Sequence, residues 1–158
     1  MKAVRTLILI SLLTVLVLSC EKDEPFYQVN AFETALHNYV SDYRVAQGKS
    51  ALVWFPDIFV EARDQSIAWK NSGDAFTGIN ERIGIIQDHW EPENLDVILY
   101  SFIGEPDTTN ARLVYENWIA DSAKNAIILD DFVQSGAGIA ASDDVVYITH
   151  FLMKVVTK

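Results

Sequence analysis

The sequence predicts an α+β domain in which an antiparallel sheet packs against helices, and three observations support this. In the first half, apolar side chains recur at helical spacing, beginning with Phe32, Leu36, Tyr39, Val40 and Tyr43. A compact apolar run at 95–102 is bounded by turn residues and is typical of a buried strand. Two segments near the end, 134–141 and 145–156, have the pattern of a hairpin. Helices followed by strand, helix and hairpin are the order of an α+β fold.

The first helix has clear limits at both ends. Asn30 followed by Glu33 forms a capping box, which satisfies two free backbone N–H groups at the start of a helix. Gly48 stands where a glycine commonly ends one, so the helix is expected to reach Gln47. Spacing and turn residues then predict an extended piece at 51–55 and helices at 57–71, 80–87 and 110–120.

The last segment is expected to be a central strand. Its side chains from 145 to 152 are largely apolar on both alternating faces. A strand of this kind needs cover on both sides of the sheet. Ser142, Asp143 and Asp144 supply the turn before it.

The first nineteen residues have the layout of a cleaved secretory signal. Lys2 and Arg5 precede an apolar run at 7–18, which is shorter than the roughly 20 residues of a membrane-spanning helix. The run ends in the sequence VLSC, which resembles the lipobox that directs lipidation of a cysteine, here Cys20. We therefore expect a bacterial lipoprotein held in the membrane by several acyl chains on Cys20. An uncleaved anchor and a soluble secreted protein are the alternatives.

Cleavage would divide the chain into a signal peptide at 1–19, a lipidated cysteine with a tether at 20–29, and one domain at 30–158. The 139 residues left by cleavage keep 10 of the 12 Lys and Arg residues and all 22 acidic ones, a formal charge of −12. This charge disfavours nucleic acid and anionic bilayers as partners, and it favours cationic ligands. Membrane contact is therefore expected through Cys20. Because Cys20 is the only cysteine, an internal disulfide and a thiolate zinc site are both excluded.

The residues after Cys20 bear on location. The sequence EKDE at 21–24 is either a solvated linker or an acidic export tag of the kind that carries some Gram-negative lipoproteins to the cell surface. The expected location is the bacterial cell envelope, as an outer membrane lipoprotein. The periplasmic and cell-surface orientations stay open.

Several motifs along 31–153 resemble, in order and spacing, those of the CAP superfamily, also called SCP (cysteine-rich secretory proteins, antigen 5 and PR-1). The opening pattern of arginine, glycine, leucine, tryptophan and spaced alanines matches Arg44, Gly48, Leu52, Trp54, Ala62 and Ala68. Later matches are GINER at 78–82, Glu93-Asn94-Leu95, the tryptophan-to-phenylalanine segment at 118–132, Gly136 with Gly138, and the closing strand at 147–151. The resemblance implies a three-layer α-β-α sandwich with a central antiparallel sheet.

The resemblance also implies a cleft in which two histidines and acidic residues can bind zinc or another divalent ion. Both histidines are missing here. Phe76-Thr77 runs directly into Gly78 where the first would precede it, and Lys124 occupies the position of the second. Only Glu93 of the aligned acidic ligands remains. We therefore expect no metal cofactor, and we expect Lys124 to form a charge pair with Glu93.

The residues predicted for the cleft are Glu93, Asn94, Lys124, His89 and Trp90. A weaker hypothesis makes His89, Glu91 and Glu93 a replacement ligand set for a metal. The other two histidines are given structural roles: His37 is expected at the surface, and His150 buried or half-buried with its hydrogen bonds satisfied. No catalytic residue is predicted, because hydrolase and nucleotide-binding motifs are absent and Ser135 falls in a strand.

The sequence thus favours a non-catalytic CAP domain that binds a ligand or an extracellular partner at the envelope. One alternative is a metal-dependent or peptidase-like hydrolase of the CAP type with a rebuilt site. Another is a sterol- or lipid-binding module, which would need an apolar groove of sufficient volume.

Overall fold

The computed structural model describes residues 28–155, so the predicted signal peptide, Cys20 and most of the tether lie outside the described residues. Within 28–155, no helix combines the length and the apolar character needed to cross a membrane. The helices are α1 (Ala31–Ala46), α2 (Pro56–Ser72), α3 (Ile79–Trp90), α4 (Thr108–Ala120) and α5 (Ser122–Ile128). The strands are β1 (Val53–Trp54), β2 (Asn94–Ile103), β3 (Gln134–Ser142) and β4 (Val145–Lys154).

Helix α1 begins where the sequence predicts. The Asn30 side chain accepts a hydrogen bond from the Glu33 N–H at 2.9 Å, and the Glu33 carboxylate accepts one from the Asn30 N–H at 2.9 Å. Helix α2 has Pro56 in its first turn, where the missing N–H costs nothing, and it ends at Gly73 with a left-handed φ of 77°.

Helix α3 is longer than the predicted 80–87. It continues to Trp90 because Pro92 lies beyond its end and not within it. Gly78 before the helix and Glu91 after it both have positive φ, at 81° and 44°. Glu91 is therefore a non-glycine residue in a left-handed conformation, which costs roughly 1–2 kcal/mol.

The segment after β2 contains two helices where the sequence predicted one. Asp107 caps α4 by accepting a hydrogen bond from the Asn110 N–H at 2.7 Å. Asp121 ends α4 and caps α5, since its carboxylate accepts hydrogen bonds from the N–H groups of Ala123 and Lys124 at 3.0 and 3.1 Å. One aspartate thus breaks the helix and starts the next.

The sheet has the strand order β1-β3-β4-β2. Strand β4 lies between β3 and β2 and is antiparallel to both, so it is the interior strand predicted from its two apolar faces. Strand β1 pairs with β3 in parallel, with Val53 opposite Gln134. The sheet is therefore mixed, with three long antiparallel strands and one two-residue parallel edge.

Helices cover both faces of the sheet and complete an α-β-α sandwich. On one face, α1, α4 and α5 enclose a core of fifteen buried side chains, among them Phe32, Trp118 and Ile148. On the other face, α2 and α3 enclose a smaller cluster of six, among them Ile86 and Phe151. The two faces therefore differ in the size of their buried clusters.

Helix α2 lies directly against the backbone of β3. A Cβ added to Gly136 would be 2.4 Å from the backbone nitrogen of Phe59, and one added to Gly138 would be 2.2 Å from that of Arg63. Both distances are far below van der Waals contact, so only glycine permits this approach. The glycine-x-glycine motif thus sets the position of α2 on the sheet.

Candidate functional site

Two of the predicted cleft residues lie at the start of β2. The Glu93 carboxylate is 3.2 Å from the Lys154 Nζ, and the same ammonium is 2.7 Å from the carboxylate of Asp131. The Asn94 side chain donates a hydrogen bond to the Asp130 carboxylate at 3.1 Å. Side-chain contacts therefore join the start of β2, the end of β4 and the loop before β3.

The expected pair between Lys124 and Glu93 does not occur among the salt bridges of residues 28–155. Lys124 Nζ instead lies 2.6 Å from the Asp121 carboxylate, and this hydrogen bond lowers the pKa of Asp121. Asp121 is one helical turn away, so the local partner is within easy reach. A lysine does neutralise Glu93, but it is Lys154.

The other two predicted residues, His89 and Trp90, lie together in a groove between α2 and α3. The groove has a volume of about 440 Å³, and its remaining walls are formed by Asp57, Val60, Glu61 and Ile85. The Trp90 ring is half-buried and packs edge-on against Phe55, with centroids 5.6 Å apart. His89 is exposed, with its ring centroid 5.3 Å from that of Trp90.

The orientation of His89 fixes which of its nitrogens is free. The Nδ1 atom lies 2.9 Å from the backbone oxygen of Ile85. Because a carbonyl oxygen only accepts, Nδ1 carries the hydrogen and donates it. In the neutral ring this leaves Nε2 as an acceptor. With the carboxylates of Asp57 and Glu61, the groove is lined mainly by hydrogen-bond acceptors.

Glu61 is the more buried of the two groove carboxylates. Burial raises its pKa, while a salt bridge with Arg82 at 3.1 Å opposes the rise. Arg82 is also 3.4 Å from both the Asp64 and the Glu81 carboxylates. One guanidinium is therefore shared among three acidic groups, and the groove and its rim keep an excess of negative charge.

The donor atoms do not fit the zinc that the CAP resemblance implies. Within residues 28–155, no three His, Asp or Glu side chains converge closely enough to hold one metal ion. This applies to His89, Glu91 and Glu93, the hypothetical replacement set, and equally to Asp57, Glu61 and His89 in the groove. A single ion needs ligands at about 2.0–2.2 Å, so these groups would have to bind something larger.

His37 is buried, and the prediction that it lies at the surface is wrong. Only 7% of the residue is exposed, and its Nδ1 lies 3.1 Å from the Ser135 Oγ. Burial lowers the pKa of His37, although a hydrogen bond with the backbone of Leu52 opposes the shift. His37 forms part of a second pocket of about 360 Å³, which is also lined by Val29, Thr34, Asn38 and Trp54.

A sequence signal for this buried histidine was present. Glu33, His37, Ser41 and Arg44 are spaced so that they share one face of α1, and all four are buried with polar partners. Glu33 binds Arg63 and accepts from the Ile139 N–H, and Ser41 accepts from the Leu52 N–H at 3.0 Å. A polar stripe beside an apolar one indicates a helix that bonds to the sheet and loops beneath it.

His150 is buried as predicted, but its ring is not satisfied. The imidazole is fully enclosed and stacks on Trp118 with centroids 5.7 Å apart. Neither ring nitrogen has a hydrogen-bond partner among the described residues, and the Trp118 Nε1 also lacks one there. Burial, with a smaller effect from nearby His37, lowers the pKa of His150 to about 3. His150 is therefore a neutral ring at physiological pH.

Comparison with known proteins identifies the fold by structure alone. No family profile matches the sequence, and no curated protein is detectably similar to it. Solved structures with the same architecture carry SCP domains or are cysteine-rich secretory proteins, so the chain has the CAP superfamily fold.

Three similar solved structures come from bacteria. The chain superposes on an outer surface protein of Borrelia burgdorferi with a TM-score of 0.66 and 12% identity, over 82% of this chain and 98% of that one. The chain superposes on an extracellular protein containing an SCP domain from Bacillus anthracis with a TM-score of 0.59 and 15% identity, over 78% of this chain. For a cysteine-rich secretory protein of Staphylococcus aureus, the TM-score is 0.58 and the identity 13%, over 82% of this chain. The chain spans about two fifths of the length of the Bacillus and Staphylococcus proteins, at 40% and 41%.

Proposed function

We propose that this protein is a lipid-anchored, non-catalytic binding protein of the bacterial envelope, and that the α2–α3 groove binds a cationic group of its ligand. One observation carries the proposal: His89 and Trp90, both predicted as cleft residues, line one groove together with Asp57 and Glu61. The other predicted charges, Glu93 and Lys124, already have partners of opposite charge.

The chemistry of the groove favours a donor-rich cation. The carboxylates of Asp57 and Glu61, the latter shared with Arg82, and the Nε2 of His89 are hydrogen-bond acceptors, and the aromatic ring of Trp90 lines the same groove. The three acceptors do not converge on a point, so a planar guanidinium or an extended ammonium side chain matches them better than a metal ion does. The formal charge of −12 expected after cleavage would attract such a ligand at long range.

Binding is favoured over catalysis by the placement of the two carboxylates. Glycoside hydrolysis needs a pair of carboxyl groups that flank the substrate from opposite sides. Asp57 and Glu61 both project from α2 and form one wall of the groove, and Glu61 is held by Arg82. Among residues 28–155, those that line the groove include no serine, threonine, cysteine or lysine to serve as a nucleophile.

The envelope location is supported by the lipobox-like sequence at Cys20 and by the likeness to an outer surface protein of Borrelia burgdorferi. The change Cys20→Ala would abolish incorporation of labelled palmitate and would block cleavage of the signal peptide. If neither the parent protein nor Cys20→Ala takes up the label and both stay in the membrane, the protein has an uncleaved anchor instead.

The ligand chemistry can be tested by calorimetric titration of the full-length protein with arginine amide and with citrulline amide. Citrulline has nearly the same shape but a neutral urea group. We expect arginine amide to bind with a millimolar dissociation constant, about −4 kcal/mol, and citrulline amide to bind at least tenfold more weakly. The affinity should fall with added salt, because the interaction is largely electrostatic.

The variant Asp57→Asn should weaken the binding of arginine amide about tenfold. The matched control is Asp42→Asn, which removes the same charge from an exposed position on α1. If both variants lose affinity equally, the attraction is a property of the net charge and the groove is not the site. Equal binding of the two amides would also contradict the proposal.

A further inference from the structure

The second pocket, between α1 and the edge strand β1, has a fixed floor. His37 is hydrogen-bonded to Ser135 on β3, and Trp54 packs against the His37 ring edge-on with centroids 5.1 Å apart. Trp54 also packs against Phe59 of α2 at 5.2 Å. The indole is therefore held between two helices, and its position does not have to be fixed by a ligand.

The exposed rim of the pocket presents polar groups that the fold does not fully use. The Asn38 amide makes no hydrogen bond with another residue in 28–155, so it offers both a donor and an acceptor. The Thr34 hydroxyl donates to the Asn30 carbonyl at 3.1 Å, which leaves its lone pairs free to accept. Val29 supplies an apolar side wall.

None of the five lining residues is acidic or basic apart from His37, whose pKa is lowered by burial. This contrasts with the acidic groove on the other face. A charged ligand would find no counter-charge here, and a simple hydrocarbon chain would make no use of the amide and the hydroxyl. The pocket suits a neutral ligand that has an apolar face and carries groups that both donate and accept.

We propose that this pocket is a binding site for a neutral saccharide. A sugar ring has a face of C–H groups that packs on an indole and a rim of hydroxyls, each of which donates and accepts. The volume of about 360 Å³ lies at the lower end of the roughly 300–1,000 Å³ of small-molecule sites, which fits about one or two sugar rings. The site is separate from the α2–α3 groove and does not depend on it.

The test uses the lipidated protein in phosphatidylcholine nanodiscs, with the indole N–H signals of its four tryptophans followed by NMR. The Trp54 signal is assigned by comparison with Trp54→Phe. Maltotriose and chitotriose are the probes, and sorbitol is the matched control because it has hydroxyls but no ring. We expect either trisaccharide to shift the Trp54 signal with a millimolar dissociation constant and sorbitol to leave it unchanged.

Asn38→Ala should weaken trisaccharide binding about tenfold. The matched control is Asn117→Ala, an exposed asparagine on α4 outside the pocket, which should change affinity by less than twofold. Both positions are exposed and helical, so the two variants should fold alike. Absence of a Trp54 shift with both sugars, an equal shift with sorbitol, or equal losses in the two variants would each overturn the proposal.

The source of the sugar is distinguished in the same experiment. Nanodiscs that contain about one tenth monoglucosyl diacylglycerol present the ring on the membrane that holds the protein. A Trp54 shift in these discs that free maltotriose displaces would identify a membrane glycolipid. A shift with free trisaccharide and none with the glycolipid would identify a glycan away from the membrane.

Discussion

The two faces of the sheet are held to their helices in different ways. The face under α1, α4 and α5 has a large core bordered by buried polar groups, and each polar residue of the α1 stripe has a partner. Arg44 is the clearest case: its guanidinium donates to the backbone oxygens of Ile128, Asp130 and Phe132, and to that of Ser50 at 3.1 Å. The face under α2 and α3 is held by a close backbone approach over β3 and is open between the two helices.

This difference separates the scaffold from the proposed ligand groove. Polar groups that are buried and fully bonded fix one geometry, because each lost partner leaves a costly buried group behind. The α2–α3 groove instead keeps Asp57 and His89 at the surface, where a ligand can reach them, and holds Glu61 partly buried against Arg82. Four predictions test this contrast, and they are ordered by the size of the expected effect.

Arg44→Ala should reduce the free energy of unfolding by about 4 kcal/mol, since it leaves several loop carbonyls without their donor. Urea denaturation of the variant measures the loss. The control is Arg112→Ala, which removes an arginine from an exposed pair with Glu116 and should cost less than about 0.5 kcal/mol. If the two variants lose similar amounts of unfolding free energy, Arg44 stabilises the fold no more than an exposed arginine does.

Gly138→Ala should cost about 3 kcal/mol, because the new methyl group would overlap the backbone of α2 at Arg63. Gly84→Ala on α3 is the matched control. A Cβ there meets nothing within 4 Å, so it should stabilise the protein by about 0.5–1 kcal/mol through helix propensity. A small loss of stability in Gly138→Ala would mean that α2 can move away from β3. The position of the α2 wall of the groove would then not be fixed by this contact.

Acid should destabilise the α1 face through His150. Its pKa is about 3 in the folded protein and 6.5 in the unfolded chain, so below pH 6.5 only the unfolded state takes up the proton. The contribution of neutral His150 to the free energy of unfolding is fully present above pH 6.5 and is lost as the pH falls toward 3. About 2 kcal/mol of it is lost by pH 5. Unfolding measured from pH 7.5 to 5 should show this slope.

His150→Leu should flatten that slope, because leucine does not titrate and fills a similar space. The remaining slope would combine His37, whose pKa burial lowers, with Glu33 and Glu61, whose pKa values burial raises. An identical pH dependence in the variant and the parent protein would assign the acid sensitivity to other groups.

Glu91→Gly should stabilise the protein by about 0.5–1 kcal/mol, the smallest of the four effects. Glu91 ends α3 with a φ of 44°, a conformation that glycine adopts without strain. Thermal unfolding would report the gain, and arginine amide titration would show whether the groove is altered. A loss of stability would show that the Glu91 side chain contributes more than the strain costs.

Much of the fold follows from local sequence signals. The capping box at Asn30, the proline that opens α2 and the two-sided apolar pattern of β4 each correspond to a feature of the structure. These signals act within a few residues, so they can be recognised without knowledge of the rest of the chain. The short parallel strand β1 was predicted only as an extended piece, since its pairing with β3 joins residues about eighty positions apart.

The site was predicted less completely, and for the same reason. Lys124 and Lys154 are both available to Glu93 by sequence, and only the tertiary structure shows that Lys154 is the partner. His37 has polar neighbours along the chain, yet its position on α1 places it beneath the helix against Ser135. Which lysine or histidine meets which partner depends on how distant elements pack.

Arg63 donates a hydrogen bond to the backbone oxygen of Gln28 at 3.2 Å. This contact decides how many residues separate Cys20 from the domain. Arg63 is itself held by buried Glu33, so Gln28 is fastened to the domain. With Cys20 in the bilayer, as proposed, eight residue steps separate the anchor from this fastening point. At 3.3–3.6 Å per step, they reach about 28 Å at full extension. On this proposal the domain would stay within that distance of its membrane, and a ligand would have to reach it there.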